Sequence, residues 1–183
     1  ARRLAQDPKY YMPYQYGNPA NPGAHYETTG PEILRDLPEV DVFVAGLGTG
    51  GTLMGVSRRL KEANPRTRVV AVEPHPGDLV QGLRSLDEGF IPPIVDFGLL
   101  DAKVVVDSRT SFALTKELTL REGIFAGISS GAVLACAQRI ARRMERGNIV
   151  VLLPDGGWKY LSTNLWSKDF AELPEATFEQ TWW

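Results

Sequence analysis

The chain reads as an α/β protein: a mostly parallel sheet flanked by helices. Three observations predict this. Short, nearly continuous apolar runs at 41–45, 68–73, 103–106 and 148–153 have the look of strands buried on both faces. Stretches with helical spacing separate them, at 52–63, 108–122 and 129–146. Strand–helix alternation of this kind is the pattern of a parallel sheet with helical crossovers. The bulk numbers agree with one globular unit: 183 residues, 43% apolar and 23% charged.

Taken in order, the start at Ala1-Arg2-Arg3-Leu4-Ala5 reads like the tail of a helix already under way, and suggests part of a longer protein. Residues 8–23 are rich in Tyr, Pro and Asn and predict an ordered loop. A helix is expected over 25–37, interrupted at Gly30-Pro31. The strand at 41–45 runs into a glycine-rich turn, and the helix after it is stopped by Asn64-Pro65. The strand at 68–73 centres on Val69-Val70-Ala71-Val72, and a long connection, 74–101, follows it. Connections of that length inside a compact domain are more often functional than idle. After the strand at 103–106, Ser108 is the expected N-cap and Gly123 the stop of a helix. The helix over 129–146 is marked by Val133, Ala137, Ile140, Ala141 and Met144, with Arg139, Arg142, Arg143 and Arg146 near its end. The strand at 148–153 leads into a loop, a short helix and a tail, giving a lobe over 1–166 and a tail over 167–183.

Composition excludes some classes. A net charge of −2 offers nothing to nucleic acid or to an acidic membrane surface, and no apolar run is long enough to span a bilayer. The single Cys136 cannot form an internal disulfide, which fits a reducing cytoplasm. His25 and His75 are too few for a metal cluster, and no Cys pair exists.

Three segments can carry chemistry. The first is Gly46-Leu47-Gly48-Thr49-Gly50-Gly51-Thr52, between a strand and a helix. Unpaired N–H groups and partial positive charge at a helix start make an anion site, and Thr49 and Thr52 add hydroxyl donors. The spacing is neither the dinucleotide fingerprint nor a Walker loop, and an ordinary tight turn remains open. The second is Gly127-Ile128-Ser129-Ser130-Gly131-Ala132, where Ser129 is either a simple cap or a ligand-facing hydroxyl. The third, Pro154-Asp155-Gly156-Gly157-Trp158-Lys159-Tyr160-Leu161-Ser162-Thr163, follows the last strand, at the end where α/β folds bind ligands.

Together these segments resemble the cysteine synthase group of fold-type II pyridoxal phosphate enzymes, of which this would be the C-terminal large lobe. The run Asn18-Pro19-Ala20-Asn21-Pro22, His25 and Thr28-Thr29-Gly30-Pro31-Glu32 share the likeness. The resemblance implies that Gly48, Thr49, Gly50, Gly51 and Thr52 bind the phosphate of pyridoxal 5′-phosphate and that Ser129 meets its ring nitrogen. The segment around Arg84 (Gly82-Leu83-Arg84-Ser85-Leu86-Asp87-Glu88-Gly89-Phe90), with Trp158-Lys159, is similar to the actinobacterial cysteine synthase B type. There the counterpart of Arg84 pairs with the phosphate of O-phosphoserine; without the likeness, Arg84 reads as a solvated surface residue. The short aromatic tail with Trp182 and Trp183 shares that likeness, and in that type the C-terminus can fold into the active site.

The implied activity is cysteine formation by β-replacement on an activated serine with a sulfide-type donor, in a homodimer, with a sulfur-carrier protein as a possible partner. One departure is large: the family's Schiff-base lysine and its substrate-carboxylate loop have no counterpart here. None of Lys9, Lys61, Lys103, Lys116, Lys159 and Lys168 stands in the lysine's context. The chain alone is therefore expected to lack catalytic residues. Rival readings are an O-acetylserine sulfhydrylase, a cystathionine β-synthase and a non-catalytic phosphate-binding fragment.

Overall fold

The computed structural model describes residues 1–173. Four parallel strands, β1 (Val42–Gly46), β2 (Arg68–Glu73), β3 (Ala102–Val105) and β4 (Ile149–Val151), form one sheet in the order β3-β2-β1-β4. The central pair is in register from Val42 opposite Arg68 to Gly46 opposite Val72.

Side-chain alternation splits the core. Phe43, Ala45, Val69 and Ala71 face one layer with Leu53, Val56 and Leu60 of α3 (Gly51–Ala63). Val42, Val44, Val70 and Val72 face the other with Phe112 of α4 (Ser108–Glu122) and Ile128, Ala132, Val133 and Cys136 of α5 (Ile128–Ala141). Period-two pointing with both faces apolar is why the strands read as unbroken runs rather than alternating ones.

The helices sit close wherever a side chain is missing. A Cβ on Gly131 would lie 1.8 Å from the Ser111 carbonyl oxygen, so α4 and α5 touch backbone to backbone there. Around it Ser111 Oγ donates to the Ile128 carbonyl at 2.7 Å, the Thr115 hydroxyl lies within donating distance of the Ser111 and Ile128 carbonyls, at 2.8 and 3.0 Å, and the Gly131 N–H donates to Thr115 Oγ1. Side chains of α4 thus satisfy backbone groups at the buried start of α5.

Several element bounds move. The helix expected over 25–37 is two helices, α1 (Ala20–Glu27) and α2 (Thr29–Asp36), hinged at Thr28 rather than at Gly30-Pro31. Pro22 and Pro31 each occupy the third position of their helix, where the missing N–H would have no intrahelical partner, so neither prevents helix formation. Asp107, not Ser108, caps α4, its Oδ1 accepting from the Thr110 N–H at 2.8 Å. The helix expected over 129–146 starts one residue earlier and stops at Ala141, because Arg143 and Met144 bond back three residues instead of four. The helix tail expected at the start is only a 3₁₀ turn, Leu4–Gln6.

Over residues 167–173 the chain stays on the core. Phe170 packs edge-on against Phe112 at 5.6 Å and Leu173 is buried. Trp182 and Trp183 lie outside the described residues.

Topology places the site. From β1 the chain crosses to β2 through α3 on one face, whereas β4, on the other side of β1, is reached through α5 on the opposite face. The carboxyl end of β1 is therefore a switch point, with a crevice opening between the diverging connections.

Candidate functional site

The glycine loop occupies that crevice. Gly50 has φ +91°, a left-handed conformation that turns the chain sharply from β1 into α3. Thr49 Oγ1 accepts from the Gly51 N–H at 3.2 Å. The N–H groups of Thr52 and Leu53, also in the first turn of α3, make no hydrogen bond to any described residue. A helix start with unspent donors in a glycine-lined crevice suits an anion.

The long connection 74–101 folds back over this loop. Arg84 donates its backbone N–H to the Leu47 carbonyl at 2.8 Å, and a Cβ on Gly48 would lie 2.8 Å from the Gly82 carbonyl oxygen. Gly48 is thus needed for close approach, and Gly82, at φ +87°, for conformation. Two residues beyond Arg84, the Leu86 N–H donates to Oε2 of the fully buried Glu73 at 3.0 Å. Lys103 Nζ stands 2.7 Å from the other Glu73 oxygen and 3.2 Å from Asp87. Glu73, with Asp87, holds the Lys103 ammonium above its ordinary pKa.

Gln15, Tyr16, Gly48, Thr49, Gly82 and Arg84 line one cleft of about 310 Å³. The Arg84 guanidinium lies over Phe90 at 5.1 Å and Tyr16 at 5.6 Å, and these two rings meet edge to face. It makes no ion pair or side-chain hydrogen bond with any described residue. A guanidinium oriented by aromatic faces, with its donor edges unspent, is prepared for an oxyanion.

Ser129 sits behind the cleft. It does not cap α5; Gly127 is the capping position, and Ser129 lies inside the first turn. Only 3% exposed, its hydroxyl has no partner among the described residues. Ser129 Oγ is 3.8 Å from the point where a Gly82 Cβ would be, which puts it on the cleft side. Ser130 Oγ is also buried and unpartnered, but nothing brings it to Gly82.

The segment after β4 holds this helix start in place. The Gly127 N–H donates to the Asp155 carbonyl and the Gly157 N–H to the Phe125 carbonyl. The Tyr160 hydroxyl donates to Asp155 Oδ2 at 2.7 Å, and burial, with the Asp155 carboxylate, pushes its pKa up. Tyr160 therefore stays a neutral donor.

The structure brings Gly48, Thr49 and Arg84 to one cleft, with Ser129 alongside. Thr52 is not among the residues that line this cleft, and its Oγ1 lies 3.2 Å from His25 Nε2. Two contributors had no assigned role in the sequence, where they read as turn residues or as strays. Asn21 Nδ2 donates to Thr49 Oγ1 at 3.0 Å and to the Gln15 carbonyl, and its Oδ1 fills the place of a Gly51 Cβ. His25 is the other. Elsewhere, burial pushes the Cys136 thiol up to about 11, a small core hydrophobe. Among the described residues no group of three or more His, Cys, Asp or Glu side chains is placed to hold a metal. No described helix is long and apolar enough to cross a membrane.

Residues 1–155 match the model of the family described as pyridoxal-phosphate dependent enzymes. The chain belongs to that family. It is similar to the cysteine synthase of Staphylococcus aureus, 40% identical over 179 residues covering 92% of this chain and 58% of that protein. Among solved structures it resembles O-ureido-L-serine synthase, with TM-score 0.84 and 39% identity over 96% of this chain and 57% of that one. It also resembles a hydrogen sulfide-producing enzyme, with TM-score 0.82 and 32% identity over 92% and 54%. The chain thus spans somewhat under three-fifths of the length of these relatives.

The site fits the family's pyridoxal phosphate on its own observations. There are N–H groups at the start of α3 with no partner among the described residues, a glycine cradle that a Cβ would fill, and beside it the hydroxyl of the buried Ser129, also without a partner among the described residues.

Proposed function

We propose that this chain is the cofactor lobe of a cysteine synthase acting on O-phosphoserine. The observation that carries the reading is the Arg84 guanidinium, stacked on Tyr16 and Phe90 and without an ion pair among the described residues, on the same cleft as Gly48 and Thr49. Gly48, Thr49, Gly50, Gly51 and Thr52 would hold the cofactor phosphate, through backbone N–H groups and hydroxyls. Bound there, pyridoxal phosphate supplies an electron sink that lets a β-substituent leave an amino acid. Ser129 would donate a hydrogen bond to the ring nitrogen. An alcohol is far too weak an acid to protonate pyridine, so the nitrogen stays uncharged and the sink is moderated, which suits β-replacement. Arg84 would bind the departing phosphate with its planar fork of donors, selecting phosphoserine over acetylserine.

No lysine lines the Arg84 cleft among the described residues, and none of the six lysines stands in the family's Schiff-base context, so on this reading none of them is assigned that role. The acceptor of the β-carbon would be a sulfide-type donor, free or on a sulfur-carrier protein. The assembly and location proposed with this reading are a homodimer and the cytoplasm.

The test is cysteine formation by the full-length protein from O-phosphoserine and from O-acetylserine. A charge-assisted hydrogen bond contributes about 1.5–3 kcal/mol, so Arg84→Ala should raise the KM for phosphoserine by roughly 10- to 150-fold. Use of acetylserine should be spared. Equal loss with both substrates, or a wild-type preference for acetylserine, rejects the role of Arg84.

A further inference from the structure

His25 belongs to none of the chemistry above, yet both its ring nitrogens are engaged. Nε2 lies 3.2 Å from Thr52 Oγ1, in the first turn of α3, and Nδ1 lies 3.0 Å from Thr29 Oγ1, the first residue of α2. The imidazole therefore joins three helices at the edge of the glycine loop. It has no room to withdraw. A Cβ on Gly55 would stand 2.2 Å from the Pro22 carbonyl oxygen and 2.7 Å from His25 Cβ, so α1 lies directly on α3. Burial lowers the pKa of His25, which keeps the ring neutral at pH 7.

A neutral imidazole donates from one nitrogen and accepts at the other, so only two arrangements satisfy both contacts. With the proton on Nδ1, the ring donates to Thr29 and Nε2 takes the Thr52 hydroxyl proton. Thr52 then presents only lone pairs to the loop. With the proton on Nε2, the ring donates to Thr52, Thr29 donates to Nδ1, and the Thr52 proton is left over. That proton is then free to turn toward an anion in the loop, where the start of α3 favours negative charge. An anion in the loop gains a donor in the second arrangement and meets a lone pair in the first.

We propose that His25, as its Nε2–H tautomer, is a positioning residue that keeps the Thr52 hydroxyl proton available to the phosphate of the bound cofactor. The inference rests on the glycine loop being the phosphate anchor. It adds that the loop's donor set is completed from α1, 27 residues upstream of Thr52.

The experiment uses the full-length protein labelled with nitrogen-15, with and without pyridoxal 5′-phosphate. Ring-nitrogen correlations read the tautomer, and His25 is assigned by the signals lost in His25→Gln. The expected result is a protonated Nε2 and an unprotonated Nδ1 in the loaded protein. A proton on Nδ1, or a charged ring, overturns the proposal. Cofactor affinity is the second readout. His25→Leu should weaken uptake by the apoprotein about tenfold, the scale of one lost hydrogen bond. His25→Gln, which still carries an N–H donor, should stay within about threefold of wild type. In a Thr52→Val background His25→Leu should have no further effect; an undiminished effect there means His25 acts only through helix packing and sinks the inference. If the wild-type protein takes up the cofactor without shifting the Gly51 and Thr52 amide signals, the anchor reading itself falls, and the proposal with it.

Discussion

Replacing Lys103 with Met would test how the segment that presents Arg84 is held. Glu73 is fully buried at the end of β2, and its carboxylate does two jobs. Oε2 accepts the Leu86 N–H at 3.0 Å, and Oε1 faces Lys103 Nζ at 2.7 Å. Methionine keeps most of the stem but leaves the carboxylate buried without a counter-charge. Removing one member of a fully buried pair costs about 3–5 kcal/mol. Here the lysine side chain is 36% exposed, so water can enter where the ammonium was, and the expected loss falls to about 2–3 kcal/mol. The Asp87 contact adds little, because that carboxylate is 58% exposed.

Urea denaturation followed by circular dichroism reads the difference. With a slope of about 2–3 kcal/mol/M, the midpoint should drop by about 1 M. Glu73→Gln in the Lys103→Met background should restore at least half of the loss, since a neutral amide still offers an acceptor to Leu86. A loss below about 1 kcal/mol would show that the carboxylate is solvated. Failure of the second substitution to rescue would show that Lys103 works through its stem. The wild-type pair also has a pH signature. Because the folded-state pKa of Lys103 lies above its ordinary 10.5, the stability it contributes is complete below that value and disappears as pH rises through the folded-state pKa.

Two further substitutions probe the scaffold. Gly131→Ala drives a methyl group to within 1.8 Å of the Ser111 carbonyl oxygen and must push α4 from α5. A loss of about 3 kcal/mol, or roughly 6–12 °C in Tm, is expected by scanning calorimetry, and an unchanged Tm would refute the close contact. Asp107→Ala removes the N-cap of α4 and should cost about 1 kcal/mol at pH 7. Burial works against the Asp107 carboxylate, but the Thr110 N–H and hydroxyl outweigh it and hold its pKa below the ordinary 3.8. That stability is present above 3.8 and is lost as pH falls through the folded-state value. The gap between variant and wild type in denaturation midpoints should therefore close in acid, and a gap that persists below pH 2 contradicts the assignment.

Most of the scaffold was legible because its signals are local. The strand at 68–73 and the helix at 108–122 coincide with β2 and α4, since an apolar run of strand length and a helix bounded by a cap and a glycine need no distant information. The start of α1 was not legible. Asn-Pro pairs read as turns, and only packing on α3, through Gly55 and Pro22, draws residues 20–27 into a helix. Ser129 shows the same limit. In the sequence, capping and ligand contact were both open readings, and the structure separates them by giving the cap to Gly127 and leaving the hydroxyl of the buried Ser129 without a partner among the described residues.

The sequence by itself determined the α/β class, the order of strands and helices, the glycine loop after β1 and the likeness to the cysteine synthase group. Each depends on residue type and on spacing along the chain. Tertiary structure alone decided which distant residues meet: Arg84 on Tyr16 and Phe90 beside Gly48, Glu73 under Leu86, His25 against Thr52. Those meetings follow from how a long connection and two helices fold over the carboxyl end of the sheet. Contacts between residues far apart in sequence are set by packing and leave no periodic trace in the chain.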